Sequence, residues 1–184
     1  MIIIEQLKEE HQAILLMLEV MEAVCKKLET GEDVTIDDLN DMVKFIKDFA
    51  DKSHHLKEED LLFPAMEKAG IPGEGGPIGV MLSEHTTGRE YVKGLSLGIE
   101  EYAKGNSNAS NQIIENARNY SSLLSNHIYK EDNILYPMAQ LHLSKEQHEE
   151  LVKEFETVDS EIIGLDKQKE LLDILDRLKA TYLI

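Results

Sequence analysis

The sequence predicts an all-α protein, built as an antiparallel up-and-down four-helix bundle with additional C-terminal helices. Long stretches carry apolar residues at the 3.6-residue spacing of an amphipathic helix. Glycine and proline concentrate in short breaks between these stretches, and short connections favour antiparallel neighbouring helices. With 184 residues, 42% of them hydrophobic and 30% charged, the composition is that of a folded globular chain with a substantial core.

Helix boundaries follow from capping and breaking residues. The first helix is expected from about residue 3 to residue 29, ending before Gly31. The second, capped by Thr35 or Asp37, should continue to the break at Gly70, with a kink at Pro64. The third should begin at Pro77, and Pro137 should kink the fourth, which follows a polar linker over residues 105–110. Two further helices are predicted over residues 145–163 and 165–183.

This pattern divides the chain into two expected parts. Residues 1–142 should form the bundle. Residues 143–184 should form a helical extension that packs on the bundle or on a partner subunit.

Charge and cysteine content restrict the possible partners and location. The net charge of −17, from 36 acidic and 19 basic residues, opposes binding to nucleic acid or to an anionic membrane surface. No apolar run approaches the ~20 residues needed to cross a bilayer, and the N-terminus lacks the features of a targeting signal. The single cysteine, Cys25, excludes an intrachain disulfide and fits a reducing compartment. We therefore expect a cytoplasmic protein that binds neither nucleic acid nor membrane.

One motif occurs twice, at an offset of 72 residues. His55 and His127 are each followed four residues later by a glutamate, and then by an aliphatic residue, an aromatic residue and a proline. Each copy is also preceded by a Glu-His pair, which contains His11 or His85. Residues four apart lie on one helix face, so each copy presents an imidazole beside a carboxylate. Four imidazoles and two carboxylates would suffice to hold two transition-metal ions between helices. The candidate ligands are His11, His55, Glu59, His85, His127 and Glu131.

Glu131 is the most informative candidate because it lies within an apolar helical stripe that should face the core. A buried carboxylate without a partner costs several kcal/mol, so it must be paired, protonated or bound to a cation. A simple pair with His127 would satisfy it, but the repetition of the motif favours a metal site.

Some assignments within the motif have alternatives. Glu58 is four residues after His54, so the first copy is ambiguous by one residue; the repeat favours Glu59, which leaves His54 and Glu58 as surface or supporting groups. Arg89 follows His85 by one turn; it is expected to pair with an acidic neighbour, or else to attract an anionic ligand to the metals. Tyr120 is interpreted as a core residue.

These residues give the chain a resemblance to the hemerythrin-like, or HHE cation-binding, family. The resemblance rests on Glu10-His11, residues 55–64, Glu84-His85 and residues 127–137, and covers roughly residues 1–142. It implies a four-helix bundle that holds two non-haem iron ions, bridged by two carboxylates and an oxo or hydroxo group. Glu59 and Glu131 would then bridge and the four histidines would be terminal ligands, with Asp132 as the alternative to Glu131.

The resemblance also directs the expected function. Oxygen-carrying members have a further histidine where this chain has Arg89, which places the chain closer to four-histidine members such as the iron–sulfur-cluster-repair proteins. Two classes of function follow: a protein that binds O2 or NO, or that senses or handles iron, and an enzyme that reduces O2, peroxide or NO. Mixed nitrogen and oxygen ligation suits iron, and the resemblance places iron ahead of manganese or zinc. The expected partner is a small diatomic molecule or an anion, and the redox partner is unknown.

Overall fold

The computed structural model describes residues 2–106 and 108–183, and within these residues the chain is all-α, with no strand. Met1 of the expected bundle and Ser107 of the expected linker lie outside the described residues. Six helical regions follow one another: α1, Ile2–Thr30; α2, residues 36–68; α3, Pro77–Ala103; α4, residues 109–142; α5, residues 145–163; and α6, Leu165–Tyr182. Regions α1 to α4 form the antiparallel bundle that the sequence predicts.

Three of these regions contain π-helical turns. Region α2 consists of α-helix Ile36–Phe45, π-helix Ile46–His55 and Lys57–Leu62, and α-helix Phe63–Lys68. Region α4 consists of α-helix Ala109–Lys130, π-helix Glu131–Leu135 and α-helix Tyr136–His142, and α5 ends with π-helix Val158–Ile163. In α2 and α4 a π-helical segment ends two residues before the proline, which then occupies the first turn of the next α-helix. This position suits proline, because its missing N–H and its ring are both tolerated there.

The bundle buries two separate apolar clusters. One cluster contains Leu7, Leu62, Phe63, Met81 and Tyr136, near one end of the bundle. The other fills the remaining length, with residues such as Met21, Phe45, Leu95 and Ile113. Buried polar side chains contributed by α1 to α4 occupy sequence positions between these two clusters. The candidate site is therefore a polar layer across an otherwise apolar core.

The C-terminal helices pack on the bundle. Phe155 of α5 joins the cluster around Phe63, and Leu171 and Leu178 of α6 join the larger cluster. The division of the chain at residue 142 stays a prediction. Among the described residues, no helix is both long enough and apolar enough to span a membrane.

Candidate metal centre

Two groups of buried side chains in the polar layer have the composition of metal sites. His55, Glu58, His85 and His127 form the first group, and His11, His54, Glu58 and Glu131 form the second. Within each group, the candidate ligand atoms lie within 4.8 Å of one another. Glu58 belongs to both groups, so one carboxylate connects them. All seven side chains are buried.

Three of the four oxygens of the two central carboxylates have no hydrogen-bond partner among the described residues. Glu58 and Glu131 are 0% exposed, and Oε2 of Glu58 and both oxygens of Glu131 receive no hydrogen bond. The oxygens of Glu131 lie 3.0 Å from Nε2 of His127 and 3.2 Å from Nε2 of His11. Only Oε1 of Glu58 accepts a hydrogen bond, from the Tyr136 hydroxyl at 2.7 Å. Buried carboxylate oxygens without donors are costly, and a bound cation would satisfy them.

Each histidine of the layer is oriented by a carboxylate at its outer nitrogen. The five contacts share one arrangement, in which Nδ1 contacts a carboxylate and Nε2 points to the centre. The pairs are His11 with Asp132 at 2.9 Å, His54 with Glu10 at 2.9 Å, His55 with Asp51 at 3.3 Å, His85 with Glu59 at 2.7 Å and His127 with Glu84 at 2.9 Å. Metal-binding histidines in proteins are commonly held in this way, since the carboxylate fixes the ring and its tautomer.

The contact between His85 and His127 also fits a cation. Their Nε2 atoms lie 2.9 Å apart, while their Nδ1 atoms contact Glu59 and Glu84. If each Nδ1–H donates to its carboxylate, the two Nε2 lone pairs face each other. A proton or a metal ion between them removes this repulsion. The donor set of imidazoles and carboxylates therefore fits a transition metal.

The structure favours a register in α2 that differs from the expected one. Glu59 is 24% exposed and lies outside both groups, where it contacts His85 Nδ1 and Arg89. Glu58 takes the central position, and His54, which is only 1% exposed, joins the second group. Of the two interpretations of His54 and Glu58, as surface or as supporting groups, the surface interpretation is wrong, because both side chains are buried. The histidines in the layer are also five, one more than the resemblance implied.

Asp132 and Arg89 both lie outside the two groups. Asp132 holds His11 through Nδ1, whereas Glu131 faces the centre. The Arg89 guanidinium is 42% exposed and binds Asp51 and Glu59, the carboxylates that orient His55 and His85. This is the acidic pairing expected for a structural arginine. Because two carboxylates already neutralise it, Arg89 is poorly placed to attract an anion to the centre.

A closer alignment of the repeat would have identified the correct register. Glu58 and Glu131 each stand six residues before their proline, whereas Glu59 stands five residues before Pro64. Aligned on the prolines, the two motifs are offset by 73 residues and the Glu-His pairs that precede them by 74, so the two halves of the centre correspond. Glu10, His11, His54, Glu58 and Glu59 in the first half match Glu84, His85, His127, Glu131 and Asp132 in the second. His55 alone breaks this correspondence, because Ile128 stands at its equivalent position.

The π-helical turns explain how adjacent histidines both enter the core. A π-turn closes its hydrogen bond over five residues instead of four, so the angle between successive side chains about the helix axis is smaller than in an α-helix. His54 and His55 lie at the end of one π-helical segment, and Glu58 lies in the next. A strict 3.6-residue periodicity does not predict that two adjacent histidines both face the core.

Burial and close neighbours shift the pKa values of the central groups. Burial and the adjacent Glu131 raise the pKa of the Glu58 carboxyl well above its usual range. Burial lowers the pKa of His54 to about 4 and that of His55 to about 3, so both rings are neutral at neutral pH, as metal ligands must be. Burial alone would lower the pKa of His11, but its contacts with Asp132 and Glu131 raise it to about 9.

These shifts predict that metal binding releases protons. Near neutral pH the metal-free protein holds a proton on His11, because its pKa is raised to about 9, and the raised pKa of Glu58 favours the protonated form of that carboxyl. A metal ion must displace the His11 proton, so its apparent affinity should increase from about pH 6 to about pH 8. Calorimetric Zn²⁺ titrations in buffers of different ionisation enthalpy would measure the release. A binding enthalpy that does not depend on the buffer would contradict the prediction.

A cavity reaches one side of the centre. It has a volume of about 510 Å³ and lies between α2, α3 and α4. His55 and His85 of the candidate metal centre line this cavity, and Val92, Tyr120 and Leu124 form part of its apolar wall. Gly88 also lines it, and a Cβ atom there would stand 3.5 Å from the Tyr120 ring. A molecule entering from solvent can therefore approach the His55 group.

Comparison with known proteins supports the metal-centre interpretation. The hemerythrin HHE cation binding domain matches residues 2–139. The chain is 21% identical to an uncharacterized protein of Mycobacterium tuberculosis, over 83% of this chain and 59% of that protein. It is 33% identical to the iron-sulfur cluster repair protein YtfE of Escherichia coli O157:H7, and 34% identical to YtfE of Pectobacterium carotovorum. Each YtfE match covers 47% of this chain and 40% of the relative.

The chain thus spans less than two thirds of the length of these relatives. No solved structure matches it. The domain match covers all seven buried histidines and glutamates of the centre and the four helical regions that carry them. The chain belongs to the hemerythrin HHE cation-binding domain family.

Proposed function

We propose that this protein binds two non-haem iron ions in the polar layer and uses them to bind a diatomic molecule, O2 or NO. The observation that carries the proposal is the pair of buried His/Glu groups that share Glu58, whose central oxygens lack donors. Imidazole and carboxylate ligation suits iron, with manganese or zinc as less favoured occupants. Bound ferrous iron would supply the electrons and the exchangeable coordination position that a diatomic ligand needs.

The two halves of the centre differ in their nitrogen donors. His55, His85 and His127 supply three imidazoles to one group, whereas His11 and His54 supply two to the other. Each group offers four side chains, but the His11 group has one imidazole fewer, and we expect the small ligand to bind there. The Tyr136 hydroxyl lies 3.3 Å from Nε2 of His11 and is fully buried; it donates to Glu58 in this structure, so a ligand at this position would compete with Glu58 for its hydrogen.

NO binding tests this asymmetry. The iron-loaded, reduced protein should bind about one NO per chain, because only one half of the centre lacks a third histidine. Anaerobic titration monitored by optical and electron paramagnetic resonance spectra would give the stoichiometry. Two equivalent NO molecules per chain would contradict the asymmetry, and no NO adduct on an iron-loaded protein would contradict the proposed function.

The reaction with O2 separates binding from catalysis. Oxygen-carrying members have a histidine where this chain has Arg89, which counts against an oxygen carrier. The two groups contain five histidines and two carboxylates, so this argument against reversible oxygen binding no longer holds. Repeated cycles of oxygenation and deoxygenation with unchanged spectra would support a binding protein. Steady consumption of O2 with an added electron donor would instead support the alternative, an enzyme that reduces O2, peroxide or NO.

A second candidate function comes from the relatives. Two matching relatives carry the name iron-sulfur cluster repair protein, although this chain covers only 40% of each. On this alternative the centre would hold iron for delivery to a damaged cluster. Incubating the iron-loaded protein with an NO-damaged [4Fe–4S] protein would test it, and recovery of the cluster absorbance would favour repair over diatomic binding. The cytoplasmic location stays a prediction.

A further inference from the structure

Each half of the centre contains a lysine at the equivalent position, and the two lysines differ in burial. Lys57 and Lys130 stand 73 residues apart, at equivalent positions. Lys57 forms an ion pair with Glu10, which orients His54, and Lys130 forms an ion pair with Glu84, which orients His127. The Lys130 side chain is 32% exposed, whereas that of Lys57 is 0% exposed. Water can therefore solvate Lys130, but Lys57 depends on protein partners alone.

The C-terminal extension supplies those partners. Asp159 of α5 accepts a hydrogen bond from Nζ of Lys57 at 2.8 Å, and the Phe155 ring lies beneath the same ammonium at 5.9 Å from its centroid. Asp159 is itself held by two amides: Gln6 donates to Oδ2 at 2.6 Å and Gln168 of α6 donates to Oδ1 at 2.9 Å. A buried ammonium thus has two carboxylate partners, one from the bundle and one from the extension.

From these contacts we propose that Asp159 is a positioning residue for the metal ligand His54, acting through Lys57 and Glu10. The inference rests on the proposed metal-binding function and extends it to a segment outside the matched domain, which ends at residue 139. The sequence of contacts is continuous: Asp159 to Lys57, Lys57 to Glu10, and Glu10 to Nδ1 of His54 at 2.9 Å.

The positioning role of Asp159 depends on how the Glu10 carboxylate is held in place. Glu10 must accept from His54 with one oxygen while the other receives Lys57 and Gln6. Asp159 fixes the ammonium and, together with Phe155, closes this region to water. Without Asp159, the buried ammonium has Glu10 as its only carboxylate partner, and water can enter beside it. The His54 ring then loses a fixed acceptor, which loosens the direction of its Nε2 toward the metal.

The test uses protein loaded with Zn²⁺ and labelled with ¹⁵N in its histidines. Each zinc-bound ring should show an Nδ1–H signal, whose exchange with solvent can be followed by NMR. In Asp159→Ala, the His54 signal should exchange about tenfold faster or more, a change we scale on the 10–100-fold cost in metal affinity of losing an outer-shell partner. The His127 signal in the same sample should stay unchanged, because Glu84 and Lys130 do not contact Asp159. Asp159→Glu should restore slow exchange.

Two further variants provide matched controls. Lys130→Met changes the equivalent lysine and should affect the His127 signal, not the His54 signal. Asp38→Asn weakens a different contact between the extension and the bundle, where Asp38 binds Arg177 and Tyr182 of α6. It should lower the melting temperature without selective faster exchange at His54. That result separates positioning from a general loss of docking.

Each negative outcome has a distinct meaning. If wild-type protein binds two Zn²⁺ ions and His54 exchanges equally slowly in Asp159→Ala, the positioning role of Asp159 is wrong and the proposed function stands. The positioning role is also wrong if Asp38→Asn accelerates His54 exchange as much as Asp159→Ala does. If wild-type protein binds no metal, or its histidines do not bind through Nε2, the proposed function itself fails.

Discussion

Replacing Glu58 with alanine should remove most of the bound metal from both halves of the centre. Glu58 is the one side chain shared by the two groups, and it is fully buried between them. Loss of an outer partner typically costs 10–100-fold in metal affinity, so loss of a shared ligand should weaken binding by more than ~100-fold. Elemental analysis of protein purified after iron-replete expression would measure the effect directly.

Glu59→Ala is the matched control, because it removes the same side chain at the neighbouring position. Glu59 contacts His85 from outside and is 24% exposed. We expect Glu59→Ala to retain two metals under saturating conditions, with an affinity reduced within the 10–100-fold range of an outer partner. If Glu59→Ala loses both metals while Glu58→Ala keeps them, the register taken from the structure is wrong.

Removing the metal should cause a large loss of thermal stability. Without a cation, three buried carboxylate oxygens of Glu58 and Glu131 remain without hydrogen bonds. At a free concentration ~1,000 times its dissociation constant, each ion stabilises the fold by about 4 kcal/mol. For a domain of this size 1 kcal/mol shifts the melting temperature by about 2–4 °C, so two ions should raise it by roughly 16 °C or more.

Differential scanning calorimetry of the chelated and reloaded protein would measure this shift. In Glu58→Ala the same addition of metal should change the melting temperature much less, since the shared ligand is absent. Equal melting temperatures for metal-free and metal-loaded wild-type protein would show that the apolar clusters alone determine stability. The metal would then make no energetic contribution to the fold.

The sequence predicted the helices well because they depend on local patterns. Apolar spacing, the Thr35 and Ser144 caps and the glycines at helix ends all act within a few residues, and the observed helices agree with them. Gly94 and Gly98 of α3 stand where this helix faces α4. The structure shows close packing, since a Cβ atom at Gly94 would stand 2.2 Å from Asn116 of α4.

The candidate site was only partly predictable. His11, His85, His127 and Glu131 were recognisable because their helices are regular α-helix up to these positions, so that a buried polar residue stands out from its apolar stripe. In α2 the π-helical turns bring both His54 and His55 into the core, and alignment of the repeat on His55 and His127 selected Glu59 instead of Glu58. The six-residue spacing from Glu58 to Pro64, which matches that from Glu131 to Pro137, indicates that Glu58 is the equivalent of Glu131.

The contribution of the C-terminal extension could not be read from sequence spacing. Asp159 is 102 residues from Lys57, and no periodic pattern connects them. Their contact depends on how α5 docks on the bundle through Leu151 and Phe155. Long-range ion pairs of this kind follow from tertiary packing alone.

Anomalous diffraction at the iron absorption edge, from crystals of the iron-loaded protein, tests the central claim most directly. Two iron peaks are expected, one on either side of the Glu58 carboxylate. One should be bound by His55, His85 and His127, and the other by His11, His54 and Glu131. A single peak, or a peak that is bound by Glu59 and leaves Glu58 free, would contradict a shared-carboxylate di-iron centre.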